Sequence, residues 1–468
     1  MTSPLSSNLR TLNAVRQTTS LSLVNAAHLY HFNVDLAKMD KVVEEVLKLI
    51  QRDYLSPADI PFHSRWRHFE APGLPRITDL LNSELWAKVD EREKVRRIID
   101  LFVVSVLLDA GAGAKWLFKF SDGTVLGRSE GLALASLDWF LNGGFSAHPS
   151  DSPHRVDSSA LKQVTPASLE RAFQVSETNP LVGVDGRCSL LTRLGHVLES
   201  QPRFFYSKER GDYRPGNMVD FILADARVSG TGPALAGSVL GGVDVIASPT
   251  GDGKINVPVE VLWDVVMEGL SGVWPATRTK VDGVSVGDVW PSKAMASVMN
   301  SADDSKAGQI PHLAKEKYCY FMAFHKLSQW LTYSLMEPLS LLNISFQNMD
   351  IMTGLAEYRN GGLFVDMGVL SLKPDTLVRG LAAAPSGSNI PRFEVFDDAV
   401  VEWRALTVAL LDRVGDRVRT ALHMSAEELP LVKVLEAGTW KLGREVAAKL
   451  RPDSKGPPID IISDGTVF

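Results

Sequence analysis

The sequence predicts a mainly α-helical protein that contains one small β-hairpin. Two observations lead to this prediction. In most segments apolar residues recur at the i, i+3, i+4, i+7 spacing of a buried helical face. Only one stretch combines an aromatic-rich strand, an Asp-Gly turn and a short return strand. No internal repeat with a period of about 20–50 residues accompanies them.

The helical periodicity is clearest in the first half of the chain. Residues 36–51 present one apolar face. Residues 83–108 begin with charged residues at helical spacing and end in an almost wholly apolar run. The hairpin follows near 115–127, with its turn at Ser121-Asp122-Gly123. Thr165 precedes Pro166 as an N-cap with proline at the first helical position. Further helices are predicted at 131–142, 187–201, 257–270, 318–336, 397–422 and 429–450.

The domain organisation depends on how the length is interpreted. A chain of 468 residues favours about three domains by the usual domain size. Candidate site residues extend over most of the chain, however, and they must converge if they form one site. We therefore predict one large helical domain over residues 1–468, with insertions or mobile loops at 225–256 and 300–315.

Composition excludes several classes of protein. Lys+Arg is 49 and Asp+Glu is 55, and the net charge of −6 argues against nucleic-acid binding driven by bulk charge. Cys188 and Cys319 are too few for a disulfide framework, a zinc ribbon or an iron–sulfur cluster, and they indicate a reducing compartment. No stretch approaches the ~18 apolar residues of a membrane span.

The first 34 residues contain no Asp or Glu and are rich in Ser and Thr, a composition weakly typical of a transit peptide. A short disordered tail followed by a neutral helix is the interpretation we prefer. We expect the protein in the cytoplasm, with the nucleus left open as a second compartment.

A pair of arginines in the early part of the chain is a candidate anion site. Arg65 and Arg67 flank Trp66, and guanidinium groups match the geometry of phosphate oxygens. An exposed loop anchored by the tryptophan explains the same residues equally well. His63 and His68 are not at helical ligand spacing, so they predict no metal site.

Two carboxylates beside apolar helices are weaker candidates. Asp109 ends an apolar helix and precedes small residues, so it either faces a pocket or accepts hydrogen bonds from its own turn. The Arg128-Ser129-Glu130 block precedes another apolar helix, and there Ser129 is a credible N-cap.

The richest cluster lies in the third quarter of the chain. Lys326 and Gln329 share one helical face, and a lysine in so apolar a helix is costly to bury without a partner. Glu357 and Glu337 are the two candidate partners, and Asp366 places another carboxylate in an apolar run. A carboxylate beside a cation in a half-apolar pocket suits acid–base or cation-stabilising chemistry, and a structural ion pair is the alternative.

Several blocks resemble those of the uracil catabolism protein 4 family of fungi and bacteria, over about residues 9–468. The matching blocks are 107–113, 128–133, 354–370, 402–404 and 463–468. What the resemblance implies is a role in the degradation of uracil through uridine monophosphate, ring opening and urea.

The order of the blocks is similar, more distantly, to that of the queuosine-salvage nucleotide N-glycosidases, which have a helical, DNA-glycosylase-like fold. Shared features are the Lys326-x-x-Gln329 pair, the acidic-Tyr-Arg block at 357–359, the 402–404 block and Trp440. In that family the lysine and the acidic residue belong to the catalytic site. Here Glu357 stands where that family has Asp, and residues 360–362 differ from its Val-Pro-Gln type run.

The two resemblances together imply an N-ribosyl hydrolase that cleaves ribosylurea 5′-phosphate to urea and ribose 5-phosphate through an oxocarbenium-like transition state. The implied catalytic residues are Glu357, Lys326 and Asp366. The implied substrate-binding residues are Asp109, Arg128, Glu130, Arg359, Gln329, Arg65, Arg67, Glu402, Arg404 and Trp440. No metal or organic cofactor is required, and the expected partner is a small phosphorylated riboside rather than a nucleic acid or a membrane.

Two other functions stay open. One is metal-free, amidase-like hydrolysis of a ring-opened pyrimidine nucleotide, although neither cysteine has an obvious histidine partner and no serine lies in a nucleophile elbow. The other is a non-catalytic nucleotide-binding or regulatory protein, since a buried Lys–Glu pair and a glycine-rich loop suit metabolite sensing as well.

Overall fold

The computed structural model describes residues 4–24, 26–109, 111–113, 115–230, 253–274, 278–294, 296 and 321–462. Contacts within the chain divide it into two compact units. The first unit comprises Met1–His63, Ala276–Gln329 and Asp350–Phe468, and the second comprises Ser64–Pro275 and Trp330–Met349. Both units are built mainly from helices, which confirms the predicted fold class.

The first unit is organised around its longest helix, Asp398–Leu422, called the long helix below. The long helix packs against Leu12–Val24 and against Tyr358–Asp366, the cap helix. The other α-helices of this unit are Pro4–Asn8, Met39–Asp53, Pro374–Ala382, Leu431–Val434 and Trp440–Leu450, with a π-helical turn at Leu435–Thr439. Its core contains Leu9, Val15, Met322, Ala405 and Val408, all buried.

The second unit is built around the helix Glu91–Leu107, whose residues from Ile98 to Leu107 are all buried. Its other α-helices are Arg65–Phe69, Arg76–Leu81, Arg128–Leu141, Ser158–Leu161, Pro166–Ala172, Val184–Ser200, Pro202–Phe205, Met218–Ala224 and Val259–Asp264, with a π-helical turn at Val265–Gly269. The helix Lys326–Ser340 begins in the first unit, and its residues from Trp330 onward belong to the second.

The strands of the described residues are short and form small separate sheets. The antiparallel pairs are Phe32–Val34 with Leu370–Leu372, Val289–Pro291 with Phe321–Ala323, Tyr206–Ser207 with Asp212–Tyr213, and Lys280–Val281 with Val284–Ser285. Arg392–Glu394 pairs with Asp460–Ile462 in parallel. Ile255–Pro258 pairs in parallel with Ile344–Gln347 and antiparallel with Ser229–Gly230.

The predicted hairpin is confirmed. Leu117–Lys119 pairs antiparallel with Val125–Gly127, and Leu117 lies opposite Gly127. The predicted cap is confirmed as well, because Thr165 Oγ1 accepts a hydrogen bond from Ser168 N at 3.2 Å before the helix Pro166–Ala172. Residues 12–24 form the predicted neutral helix, and the described chain is already helical from Pro4.

Several predicted boundaries are wrong. The helix expected over 83–108 begins only at Glu91, where Asp90 accepts a hydrogen bond from Glu93 N and caps it. The helix expected over 318–336 begins at Lys326, because Phe321–Ala323 is a strand and His325 turns the chain with a φ of 46°. Ser129 was predicted to cap the helix that follows it. It is not an N-cap, because that helix already begins at Arg128.

The single-domain organisation stays a prediction, as does a relationship to the DNA-glycosylase-like fold. Of the proposed insertions, residues 231–252 and 300–315 lie outside the described residues, and so does the terminal block 463–468. Within the described part of the chain, no helix has the length and apolarity that a membrane crossing requires.

Candidate functional site

Glu357 is a buried carboxylate at the start of the cap helix. Its Oε2 accepts a hydrogen bond from Arg359 N and its Oε1 accepts one from Asn360 N, both at 2.6 Å. The side chain therefore fills the N-terminal end of the helix, where the backbone N–H groups favour a negative charge. Burial raises the pKa of this carboxyl above its usual range, and the two backbone hydrogen bonds oppose that rise.

Lys326 supplies the positive side-chain charge that acts most strongly on Glu357. The charge of Lys326 lowers the pKa of the Glu357 carboxyl more than the charge of Arg359 does. Lys326 is half-buried at the first position of its helix, and its backbone N–H donates to Asp288 Oδ2 at 3.0 Å. The structure shows an electrostatic interaction of Lys326 with Glu357, which is one of the two partners predicted for it.

Asp288 fixes the position of Lys326, and no pattern in the sequence pointed to this residue. Its two carboxylate oxygens accept hydrogen bonds from Arg404 Nη1 and Nη2 at 2.8 and 2.7 Å. Trp290 Nε1 donates to it as well, at 2.7 Å. The paired guanidinium and the other donors hold the pKa of this buried carboxyl well below its usual range. Arg404, predicted to bind substrate, is thus engaged by the protein itself.

Gln329 holds the segment that precedes Glu357. Its Nε2 donates to Thr353 Oγ1 at 2.8 Å and to Phe324 O at 3.1 Å, and its Oε1 accepts a hydrogen bond from Thr353 N at 2.9 Å. The side chain is fully buried, and both of its polar atoms bind protein. Gln329 therefore acts on the arrangement of the site through Thr353.

Arg359 lies next to the carboxylate in sequence and in space. Its backbone N–H binds Glu357, its Nη1 donates to Lys455 O at 3.2 Å, and its guanidinium lies 5.4 Å from the ring centre of Tyr358. Only 8% of the residue is exposed. The structure thus brings Lys326, Glu357 and Arg359 together in the first unit.

Asp366 is not brought into this group. It is the last residue of the cap helix, nine positions after Glu357, which at about 1.5 Å per residue places the two roughly 13 Å apart along the helix axis. Its carboxylate accepts hydrogen bonds from Arg451 Nη1 and Nη2 at 2.8 and 2.5 Å. The geometry gives Asp366 a structural ion pair.

Glu402 and Trp440 also contact protein groups. Glu402 is buried and accepts hydrogen bonds from the backbone N–H groups of Tyr30, His31 and Phe32 at 2.8–2.9 Å. Burial raises the pKa of its carboxyl, and these three bonds oppose the rise. Trp440 packs against His63 with ring centres 5.1 Å apart, and the guanidinium of Arg444 lies 4.8 Å from its ring centre.

A second polar cluster lies in the second unit around Arg65. Arg65 Nη1 lies 2.9 Å from Asp109 Oδ1, and Arg65 Nε donates to Ser105 Oγ at 2.8 Å. The guanidinium lies 5.7 Å from the ring centre of Trp330. Burial lowers the pKa of Arg65, and the charges of Asp109 and Glu130 oppose that shift. Arg65, Asp109 and Glu130, all predicted from the sequence, are therefore neighbours.

The remaining candidates of the second unit are on its more accessible parts. Arg67 Nη2 donates to Glu337 Oε1 at 3.1 Å, and Ser64 Oγ donates to the other oxygen of the same carboxylate. Arg128 is exposed and has a φ of 54° at the first position of its helix. Arg187, which the sequence did not suggest, donates to Leu108 O at 3.1 Å and fixes the turn that carries Asp109.

Comparisons with known proteins place the chain in a family. The family profile described as "Protein of unknown function (DUF1688)" matches residues 8–468. Uracil catabolism protein 4 of Lachancea kluyveri is 38% identical over 477 residues, which cover 99% of this chain and 98% of the relative. The chain belongs to this family.

A second member of the uracil catabolism protein 4 family supports the same assignment. Protein urg3 of Schizosaccharomyces pombe is 38% identical over 457 residues, covering 96% of this chain and 94% of the relative. The family resemblance predicted from the sequence blocks is thus confirmed along nearly the whole length. Among the described residues, no group of three or more His, Cys, Asp or Glu side chains is arranged to hold a metal ion.

Proposed function

We propose that this chain acts in uracil catabolism as an N-ribosyl hydrolase, converting ribosylurea 5′-phosphate and water into urea and ribose 5-phosphate. The name of the Lachancea relative supports the pathway. The observation that carries the reaction is the buried carboxylate of Glu357, held at a helix N-terminus by two backbone N–H groups with the charge of Lys326 acting on it.

The chemistry of an N-glycosidic bond explains why such a group is useful. As the bond between C1′ and the urea nitrogen breaks, positive charge develops on C1′ and the ring oxygen. A fixed carboxylate in a poorly hydrated site stabilises that charge more than water does. The water that attacks C1′ supplies the new hydroxyl group, and its proton leaves with the urea nitrogen.

Lys326 and Arg359 suit the two ends of such a substrate. Lys326 is half-buried and its charge acts on the carboxylate, which suits it to bind a hydroxyl or phosphate oxygen of the substrate. It also favours the ionised form of Glu357, because its charge opposes the rise in pKa that burial causes. Arg359 contributes a second positive charge for ribose hydroxyl or phosphate oxygens.

The roles predicted for Arg65, Arg67, Asp109, Arg128 and Glu130 stay predictions.

The geometry offers less for an amidase. Cys188 is buried, and burial raises the pKa of its thiol to about 11, which disfavours the thiolate that a nucleophile needs. The other cysteine, Cys319, lies outside the described residues.

The test is to incubate the purified chain with ribosylurea 5′-phosphate and to measure urea and reducing sugar. We expect equimolar release of the two, and Glu357→Gln should lower kcat by about 10²-fold or more. Asp90→Asn is the matched control, because Asp90 also caps a helix through a carboxylate, at Glu93 N, but in the second unit. Release of ammonia or carbon dioxide instead of urea would support an amidase, and binding without turnover would support a regulatory protein.

A further inference from the structure

Asn360, the third residue of the cap helix, has a buried side chain that binds no other residue in the part of the chain that the structure describes. None of its surface is exposed, yet neither Nδ2 nor Oδ1 has a hydrogen-bond partner among the described residues. More than nine in ten buried polar groups in folded proteins are paired, and an unpaired one costs about 1–3 kcal/mol. An amide that is unpaired at both atoms is therefore unusual and calls for a ligand.

A second unpaired donor lies on the long helix, which packs against the cap helix. Trp403 of the long helix is 2% exposed, and its indole Nε1 has no hydrogen-bond partner within the described ranges. A Cβ atom added to Gly361, the residue after Asn360, would come within 2.8 Å of that Nε1. Glycine thus lets the indole N–H approach the backbone directly at this point. The two unpaired groups lie on helices that pack together, and they are called the polar patch below.

The hydrogen-bonding capacity of this patch selects the chemistry of the ligand. Asn360 offers two N–H donors and one carbonyl acceptor, and Trp403 offers one further N–H donor. A ligand that pairs with all of them needs a carbonyl oxygen and an N–H group on adjacent atoms. An anion is disfavoured, because it cannot donate to Oδ1 and because Glu357 Oε1 lies 2.6 Å from Asn360 N. A neutral amide or ureide group satisfies both requirements.

We propose that Asn360, with Trp403, binds the ureido group of the substrate and so determines the leaving group. This proposal rests on the proposed function, since Glu357, which would stabilise the charge at C1′, accepts its hydrogen bond from Asn360 N. The bond to be broken joins C1′ to the ureido nitrogen, so a ureide site next to this carboxylate is where the reaction needs it.

The experiment measures the affinity of the full chain for two compounds by calorimetry, with Glu357→Gln present in every sample so that hydrolysis does not consume the ligand. Ribosylurea 5′-phosphate carries the ureido group, and ribose 5-phosphate lacks it. Asn360→Leu keeps the branched shape but removes donor and acceptor. We expect its Kd for ribosylurea 5′-phosphate to rise about tenfold or more, as for a lost hydrogen-bonded pair. Its Kd for ribose 5-phosphate should stay unchanged. Trp403→Phe should weaken ribosylurea 5′-phosphate binding in the same selective way.

Thermal stability separates a binding role from a structural one. Because the Asn360 side chain makes no hydrogen bond to any residue that the structure describes, Asn360→Leu should leave the Tm unchanged or raise it. Asn217 is the matched control, since it is also buried but its Nδ2 donates to Phe205 O and Asp212. Asn217→Leu should lower the Tm and leave both affinities unchanged. If Asn360→Leu does not fold, Trp403→Phe still carries the test.

Each outcome bears on one proposal or both. If both variants keep the affinity of the Glu357→Gln chain for ribosylurea 5′-phosphate, the patch holds water only and this inference is overturned. If they also weaken ribose 5-phosphate binding equally, the ureido assignment is wrong. Selective weakening, when the chain that keeps Glu357 binds ribosylurea 5′-phosphate but does not hydrolyse it, supports the ureide site and refutes the proposed reaction. A chain that does not bind ribosylurea 5′-phosphate refutes both.

Discussion

The carboxylate of Asp288 and the guanidinium of Arg404 form a two-bond ion pair, with N–O distances of 2.8 and 2.7 Å. The same carboxylate accepts the first N–H of the helix that carries Lys326. Arg404 also lies over the ring of Phe324, with its guanidinium carbon 4.0 Å from the ring centre. The Asp288–Arg404 ion pair thus joins the long helix to the start of the helix that carries Lys326, the cation of the candidate site.

Breaking this pair from one side should be costly. Asp288→Asn leaves Arg404 buried without a counter-charge, and we expect the free energy of unfolding to fall by about 3–5 kcal/mol in urea denaturation. Asp40→Asn is the control, because Asp40 pairs with Arg417 at the surface and the change should cost less than about 1 kcal/mol. Equal losses in the two variants would contradict a structural role for Asp288.

The acid side of the pH–rate profile should report Glu357. Its pKa is raised by burial above the ordinary value of 4.5, so the ionised form that stabilises C1′ is lost at a higher pH than for an exposed glutamate. We expect kcat/KM for ribosylurea 5′-phosphate to fall toward acid with an apparent pKa above 4.5.

Replacing Lys326 should move that acid limb in a defined direction. The charge of Lys326 lowers the pKa of Glu357, so Lys326→Met should shift the limb to higher pH and reduce kcat/KM at neutral pH. Lys48→Met serves as the control, because Lys48 pairs with Glu44 and Glu45 on the surface of another helix. A limb that stays in place in Lys326→Met would show that another group controls the profile.

Local features of the fold were predictable from the sequence, and distant pairings were not. The Thr165-Pro166 cap and the Asp-Gly hairpin depend on neighbouring residues, so composition and spacing reveal them. Glu357 stood out as an acidic residue beside a helical Lys326. Asp288 did not, because its partner Arg404 lies 116 positions away, and nothing near it in sequence shows the pairing. Asn360 was noticed only as a departure from a related motif, since lack of a partner is a property of the folded chain.

Asp366 should contribute to stability and not to catalysis. It lies at the far end of the cap helix from Glu357, its side chain is only 5% exposed, and it accepts two hydrogen bonds from Arg451. Asp366→Asn should lower the free energy of unfolding by about 3 kcal/mol, the cost of breaking a buried ion pair, and leave kcat unchanged. A loss of kcat as large as that in Glu357→Gln, with stability retained, would restore Asp366 as a catalytic residue.

His325 should make the stability of the protein fall in mild acid. The residue is buried, and its Nε2 lies 2.7 Å from Leu9 O, where a neutral imidazole donates its proton to that carbonyl. Burial lowers the pKa of His325 below the usual 6.5, as it does for His154 in the second unit. A histidine with a lowered pKa in the folded state contributes stability that is complete above about pH 6.5 and is lost as the pH falls below that value. The free energy of unfolding, measured by urea denaturation, should therefore decrease from pH 8 to pH 5, and His325→Gln should make this decrease smaller. If the decrease is unchanged in that variant, the whole effect belongs to other groups.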